Sequence, residues 1–109
     1  MGEFPLRSIT FDGRTVYLTE EDWLHIRFRH PELAESPTTL MKAVQNPLEA
    51  YRDSLEGILV LLRLDQRHYL VVIYEYENRE GYIKTAYITD RKRKERRYKK
   101  LQPLKLSST

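Results

Sequence analysis

His68-Tyr69-Leu70-Val71-Val72-Ile73-Tyr74-Glu75-Tyr76 is the stretch that decides the architecture. Its β-branched and aromatic residues favour a strand. Residues 69–73 are apolar without interruption, which leaves neither face for water, so this strand is expected to be central and covered on both sides. Two similar runs flank it, residues 58–64 (Ile-Leu-Val-Leu-Leu-Arg-Leu) and residues 82–89 (Tyr-Ile-Lys-Thr-Ala-Tyr-Ile-Thr). The connections, residues 65–67 and 77–81, have the length and polarity of hairpin turns, so the three strands read as an antiparallel meander. Residues 48–53 add a further edge strand.

Upstream, Ile9 and Phe11 alternate with Val16 and Leu18 about Asp12-Gly13-Arg14, the pattern of a hairpin. Thr19 stands before Glu20-Glu21-Asp22, an N-cap hydroxyl followed by acids that suit the positive end of a helix dipole. The helix runs over residues 20–30, because Pro31 disfavours helical geometry in the residue before it. Ser36-Pro37 repeats the start signal for a short second helix ending near Asn46-Pro47. The expected fold is α+β: one or two N-terminal helices packed on a curved antiparallel sheet of about four strands, in a single domain over residues 1–90. Residues 91–109 form a basic C-terminal segment, its first ten residues either a helix or a disordered arm, with Pro103 limiting any helix.

The 109 residues suffice for one core. There is no cysteine, which removes disulfides, thiolate catalysis and cysteine-bound zinc and fits a cytoplasmic setting. The N-terminus lacks the layout of a signal peptide, and no apolar run approaches the roughly 20 residues of a membrane span. Residues 91–100 (Arg-Lys-Arg-Lys-Glu-Arg-Arg-Tyr-Lys-Lys) hold eight of the 19 basic residues and one of the 16 acids. The remainder has 11 basic against 15 acidic residues, so the run carries +7 on a chain otherwise at −4. Charge concentrated in this way points to a polyanion, most often nucleic acid, or to an acidic protein.

Acid-base chemistry near neutral pH rests on three histidines, at positions 25, 30 and 68. At about 100° per residue Trp23, Ile26 and His30 share one side of the first helix, and His25 and Arg29 share another. On the last strand a period of two places Ile83, Thr85, Tyr87 and Thr89 on one face and Tyr82, Lys84, Ala86 and Ile88 on the other. Neighbouring hydroxyls can hold a phosphate oxygen, and Arg63, which interrupts an apolar strand, can balance phosphorane charge. Each also has a plainer role: histidine as packing, Thr85 and Tyr87 as strand formers, Arg63 as a strand-end cation. The chain has no HExxH, no GxSxG, no Walker loop and no GxGxxG, so neither a metal nor a nucleotide cofactor is expected.

The order of a helix with His25-Ile26-Arg27-Phe28-Arg29-His30-Pro31-Glu32, a second helix ending in Asn46-Pro47 and a meander closing on Ile83-Lys84-Thr85-Ala86-Tyr87 resembles the small phage and bacterial nuclease domains grouped with barnase, EndoU, colicin and RelE. The resemblance spans residues 15–90. It implies a metal-independent endoribonuclease in which the RNA 2′-hydroxyl attacks the adjacent phosphate, with His25 or His30, Arg63, Thr85 and Tyr87 at the active site. Arg29 and Lys84, with Arg91, Lys92, Arg93, Lys94, Arg96, Arg97, Lys99 and Lys100 of the basic run, would hold RNA. Some members of that group are toxins of toxin-antitoxin pairs, which implies an antitoxin partner. The alternative is a non-catalytic RNA-binding or protein-binding module of the same fold.

Overall fold

Strand 68–77 is central, as its apolar run requires. In the computed structural model, which describes residues 4–33, 37–53 and 57–106, Tyr69, Leu70, Val71 and Val72 are all buried. In chain order the elements are β1 (Leu6–Ile9), β2 (Thr15–Leu18), α1 (Glu20–Arg29), α2 (Pro37–Gln45), β3 (Glu49–Arg52), β4 (Gly57–Arg63), β5 (His68–Glu77), β6 (Glu80–Asp90), α3 (Arg91–Arg97) and β7 (Gln102–Pro103). Short 3-10 turns lie at Pro31–Leu33 and Tyr98–Lys100.

The domain is α+β, but the sheet is larger than the expected four antiparallel strands. Among the described residues seven strands run in the order β1-β2-β6-β5-β4-β3-β7, and the β2–β6 pair is parallel, so the sheet is mixed. The meander β4-β5-β6 forms as read. The β1–β2 hairpin then docks on its outer flank, a pairing with no local sequence signal. Strand β3, expected at an edge, is inside it: Tyr51 and Arg52 pair with Pro103 and Gln102 of β7. Pro103 has no N–H to give to a ladder, and a terminal two-residue strand is where proline is tolerated.

Cover comes from different segments on the two faces. Trp23 and Ile26 of α1 and Leu40, Met41, Ala43 and Val44 of α2 pack with Val60, Leu70, Val72, Tyr74, Ile83 and Ala86. Across the sheet, Leu59, Leu61, Tyr69 and Val71 are capped by Tyr98, which is only 4% exposed. The basic segment is therefore ordered: α3 starts at an Asp90 N-cap, whose carboxylate accepts from the Arg93 N–H at 2.8 Å, and delivers Tyr98 to the second core.

The local punctuation acts as expected. Thr19 caps α1, Gly13 takes φ 85 in the first turn, and Asn78 at φ 63 lets β5 reverse in two residues rather than the five expected. The N-cap expected at Ser36 lies outside the described residues. One expectation on β6 is overturned. The register shifts between Ile73 and Tyr74, which face Thr85 and Ile83, leaving Lys84 as a bulge. Ile83 therefore faces the helices together with Ala86, while Thr85, Tyr87 and Thr89 face the other way, because one extra residue reverses the phase of the pleat.

Gly81 sits where β6 passes the Tyr74 and Tyr76 rings. A Cβ there would lie 3.2 Å from Tyr76 Cε1, 3.3 Å from Tyr74 Cδ2 and 3.3 Å from Val16 Cγ2. Gly81→Ala is expected to destabilise by about 1–2 kcal/mol, overpacking outweighing the entropy gained by removing a glycine. Thermal denaturation checks this, and an unchanged or raised midpoint would contradict it.

Candidate functional site

Pro31 ends α1 and leaves His30 as its C-cap, with its backbone N–H donating to Ile26 O at 2.8 Å. The imidazole is 30% exposed, with Nδ1 3.5 Å from Glu32 Oε2 and its ring centroid 6.0 Å from that of Tyr87. Strand β2 covers β6 only as far as Tyr82, and α1 packs on β6. A helix along that flank reaches both sides of the sheet: Trp23 and Ile26 enter the core beneath α1 and α2, while His30 meets a side chain of the opposite face.

From Tyr87 a chain of polar contacts crosses that face. The Tyr87 and Tyr98 hydroxyls are 2.7 Å apart, and the Tyr98 ring stacks on Tyr51 with centroids 6.1 Å apart. Tyr51 donates to Glu49 Oε1 at 2.6 Å, and Glu49 Oε2 accepts from Lys94 Nζ at 2.8 Å. Lys94 Nζ also lies 5.4 Å from the Tyr69 ring centroid. Burial, then the bond to Glu49, pushes the Tyr51 phenol up to about 12. Burial, then the contact with Tyr87, raises that of Tyr98 as well. At neutral pH both phenols keep their protons.

The raised Tyr51 value gives a pH prediction. A group whose folded pKa exceeds its ordinary value of 10 contributes stability below that pH and loses it as pH climbs towards about 12. Stability is therefore expected to fall over this alkaline window, together with the appearance of phenolate absorbance, and Tyr51→Phe should flatten that part of the profile.

The site residues read from the sequence divide into groups. His30 and Tyr87 come together. Thr85 is half-buried on the same face, one pleat along the strand. Arg63 lies opposite Tyr69, which lies opposite Thr89, so Arg63 shares the face and the strand end but stands two strands across from β6. It is exposed, with Nε donating to Asp65 O at 3.2 Å. His25 and Arg29 are exposed on α1 and are not brought to this cluster. Lys84, in the bulge, reaches Glu77 at 3.4 Å. His68 holds the β4–β5 turn, with Nδ1 3.0 Å from Asp65, whose carboxyl is lowered chiefly by the Arg67 N–H and also by His68.

On α3 the cations also separate. Lys94 turns inward to Glu49, its side chain 14% exposed. Arg91, Lys92, Arg93, Arg96, Arg97 and Lys100 point outward, and Arg93, Arg96, Arg97 and Lys100 surround one shallow hollow. Arg91 is offset by Glu95 and Arg93 by Asp90, whereas Lys92, Arg96, Arg97 and Lys100 have no carboxylate partner among the described residues. The side chain of Lys99 lies outside the described residues.

Sequence reasoning missed Glu49, Tyr51 and Tyr98. Tyr98 had a visible signal, as the one uncharged residue in residues 91–100. Among the described residues no cluster of three or more histidine or acidic side chains could hold a metal, and no helix is long and apolar enough to cross a membrane.

Comparison with protein-family models, curated proteins and solved structures finds no match. The functional reading therefore rests on the site itself.

Proposed function

We propose that this chain is a cytoplasmic, barnase- or RelE-like endoribonuclease that cleaves RNA without a metal ion. The observation that carries the reading is the His30 imidazole beside Tyr87, on the sheet face bordered by the basic helix α3. In this reaction the 2′-oxygen attacks the adjacent phosphorus and the P–O5′ bond breaks. The products are a 2′,3′-cyclic phosphate and a 5′-hydroxyl. His30 takes the 2′-hydroxyl proton and returns a proton to the leaving 5′-oxygen. Tyr87 and Thr85 orient the phosphate, while Arg63 and the outward cations of α3 hold the flanking strand and offset its charge. Such an activity needs restraint in a cell, and an antitoxin protein covering this face is the partner the reading implies.

The test is end-group analysis of RNA incubated with the protein in EDTA. Cyclic phosphate and 5′-hydroxyl ends are expected, with cleavage blocked by a 2′-deoxy substitution at the cut. Intact RNA, or cutting of the 2′-deoxy substrate, would overturn the proposal.

A second reading is a non-catalytic RNA-binding or protein-binding module of the same fold. It is favoured by Tyr98, whose hydroxyl engages Tyr87 and whose ring already fills the face. It is distinguished by salt-dependent RNA binding with no strand breaks.

A further inference from the structure

At the end of the sheet remote from Arg63 and Thr89, the turns before β2 and after β5 meet the end of β3, the start of β4 and the C-terminal tail. They enclose an open hollow of about 260 Å³. Its apolar floor includes Phe11, Ile58 and Leu104, and three cations, Arg14, Arg52 and Lys105, stand around it. None of the three has a carboxylate partner among the described residues. The acid present, Asp12, is engaged by the Thr10 hydroxyl, which also accepts from the Arg14 N–H at 3.0 Å.

Arg14 is held in place: its guanidinium carbon lies 3.7 Å from the Tyr76 ring centroid, and Gly13 supplies the positive φ of the turn that places it. Stacking on a ring leaves the guanidinium edge open for a bidentate contact. Tyr76 lines the hollow, while its hydroxyl is buried beside the hydroxyls of Tyr74 and Thr10. The ring of Tyr74 meets that of Tyr76 edge-on, with centroids 5.7 Å apart. Three cations with no carboxylate partner among the described residues, gathered at one hollow, call for an anion from outside the chain.

We propose that this hollow binds a free phosphomonoester no larger than a mononucleotide. Arg14, Arg52 and Lys105 take the phosphate oxygens, with Arg14 held in place by the Tyr76 ring. A phosphate suits the site better than a carboxylate because three separated cations match three terminal oxygens rather than two. The volume is below the roughly 300 Å³ at which pockets for drug-sized ligands begin, which limits the ligand to a small one. The site does not depend on RNA cleavage and lies at the other end of the strands from His30.

The test is an NMR titration of the full chain with inorganic phosphate, ribose 5-phosphate, ribose and acetate, read at the amides of Arg14, Asn78 and Lys105. Shifts on α3 report its own surface charge and are fitted separately. Saturable shifts at the hollow are expected with both phosphates, with a Kd of about 1 mM or tighter, and with neither ribose nor acetate. Arg52→Gln and Lys105→Gln, both at exposed positions, should each weaken binding at the hollow by about tenfold, with the α3 shifts unchanged. No saturable shift at the hollow, equal binding of acetate, or an unchanged Kd in Arg52→Gln would each overturn the proposal.

Discussion

His30→Ala is expected to slow RNA cleavage by about 100- to 10,000-fold, the contribution typical of a positioned acid-base group, while His25→Ala leaves the rate within about twofold. The contrast follows from where α1 puts the two imidazoles. His30 closes the helix against Tyr87, whereas His25 is exposed and lies about 140° round the helix from His30. The fold should tolerate the change at 30, since the capping bond there is made by its backbone N–H, which alanine retains. Single-turnover cleavage of a labelled RNA by the two variants, with thermal midpoints measured alongside, makes the comparison. Equal rates for both would remove His30 from the mechanism.

Neutralising the outward face of α3 with Arg93→Gln, Arg96→Gln, Arg97→Gln and Lys100→Gln together is expected to weaken RNA binding by about 100-fold at moderate salt. The slope of log K against log salt should flatten by about three, since each phosphate contact on a single strand contributes about 0.7. These residues surround one hollow and, unlike Lys94 and Tyr98, take no part in the core. Lys94→Met is the control. It should leave the salt slope nearly unchanged but lower stability by about 1–2 kcal/mol, because the Glu49 carboxylate loses a charged donor at 2.8 Å. Filter binding over a salt series separates the two, and a Lys94 effect on the slope as large as the quadruple change would refute the division. Truncation at residue 90 would be uninformative here, since it also removes the Tyr98 ring from the second core.

What the chain disclosed in advance was local. Thr19, Pro31 and Gly13 mark boundaries because each acts on its own backbone or the next turn, and the meander follows from short connections. The parallel docking of β2 on β6 joins residues some 65 positions apart, and no periodicity encodes such a pairing. The bulge at Lys84 was also silent, with no glycine or proline at its position, and it alone separates Ile83 from Thr85 and Tyr87. For the site, the histidine-to-tyrosine meeting was legible as a bet on two elements sharing a flank. Glu49 and Tyr51 were not, because their importance arises only when α3 folds back across the sheet.

The short reach of β2 bears on how this protein fails. Beyond Tyr82 the outer flank of β6 has no strand neighbour among the described residues, and α1 lies against it, anchored by Trp23 and Ile26. Loosening that anchor would bare a row of unpaired amides and carbonyls, the template on which identical chains add to one another. Damage to the helix would then appear as concentration-dependent assembly into β-rich aggregates, with the monomer lost to self-association before its sheet comes apart.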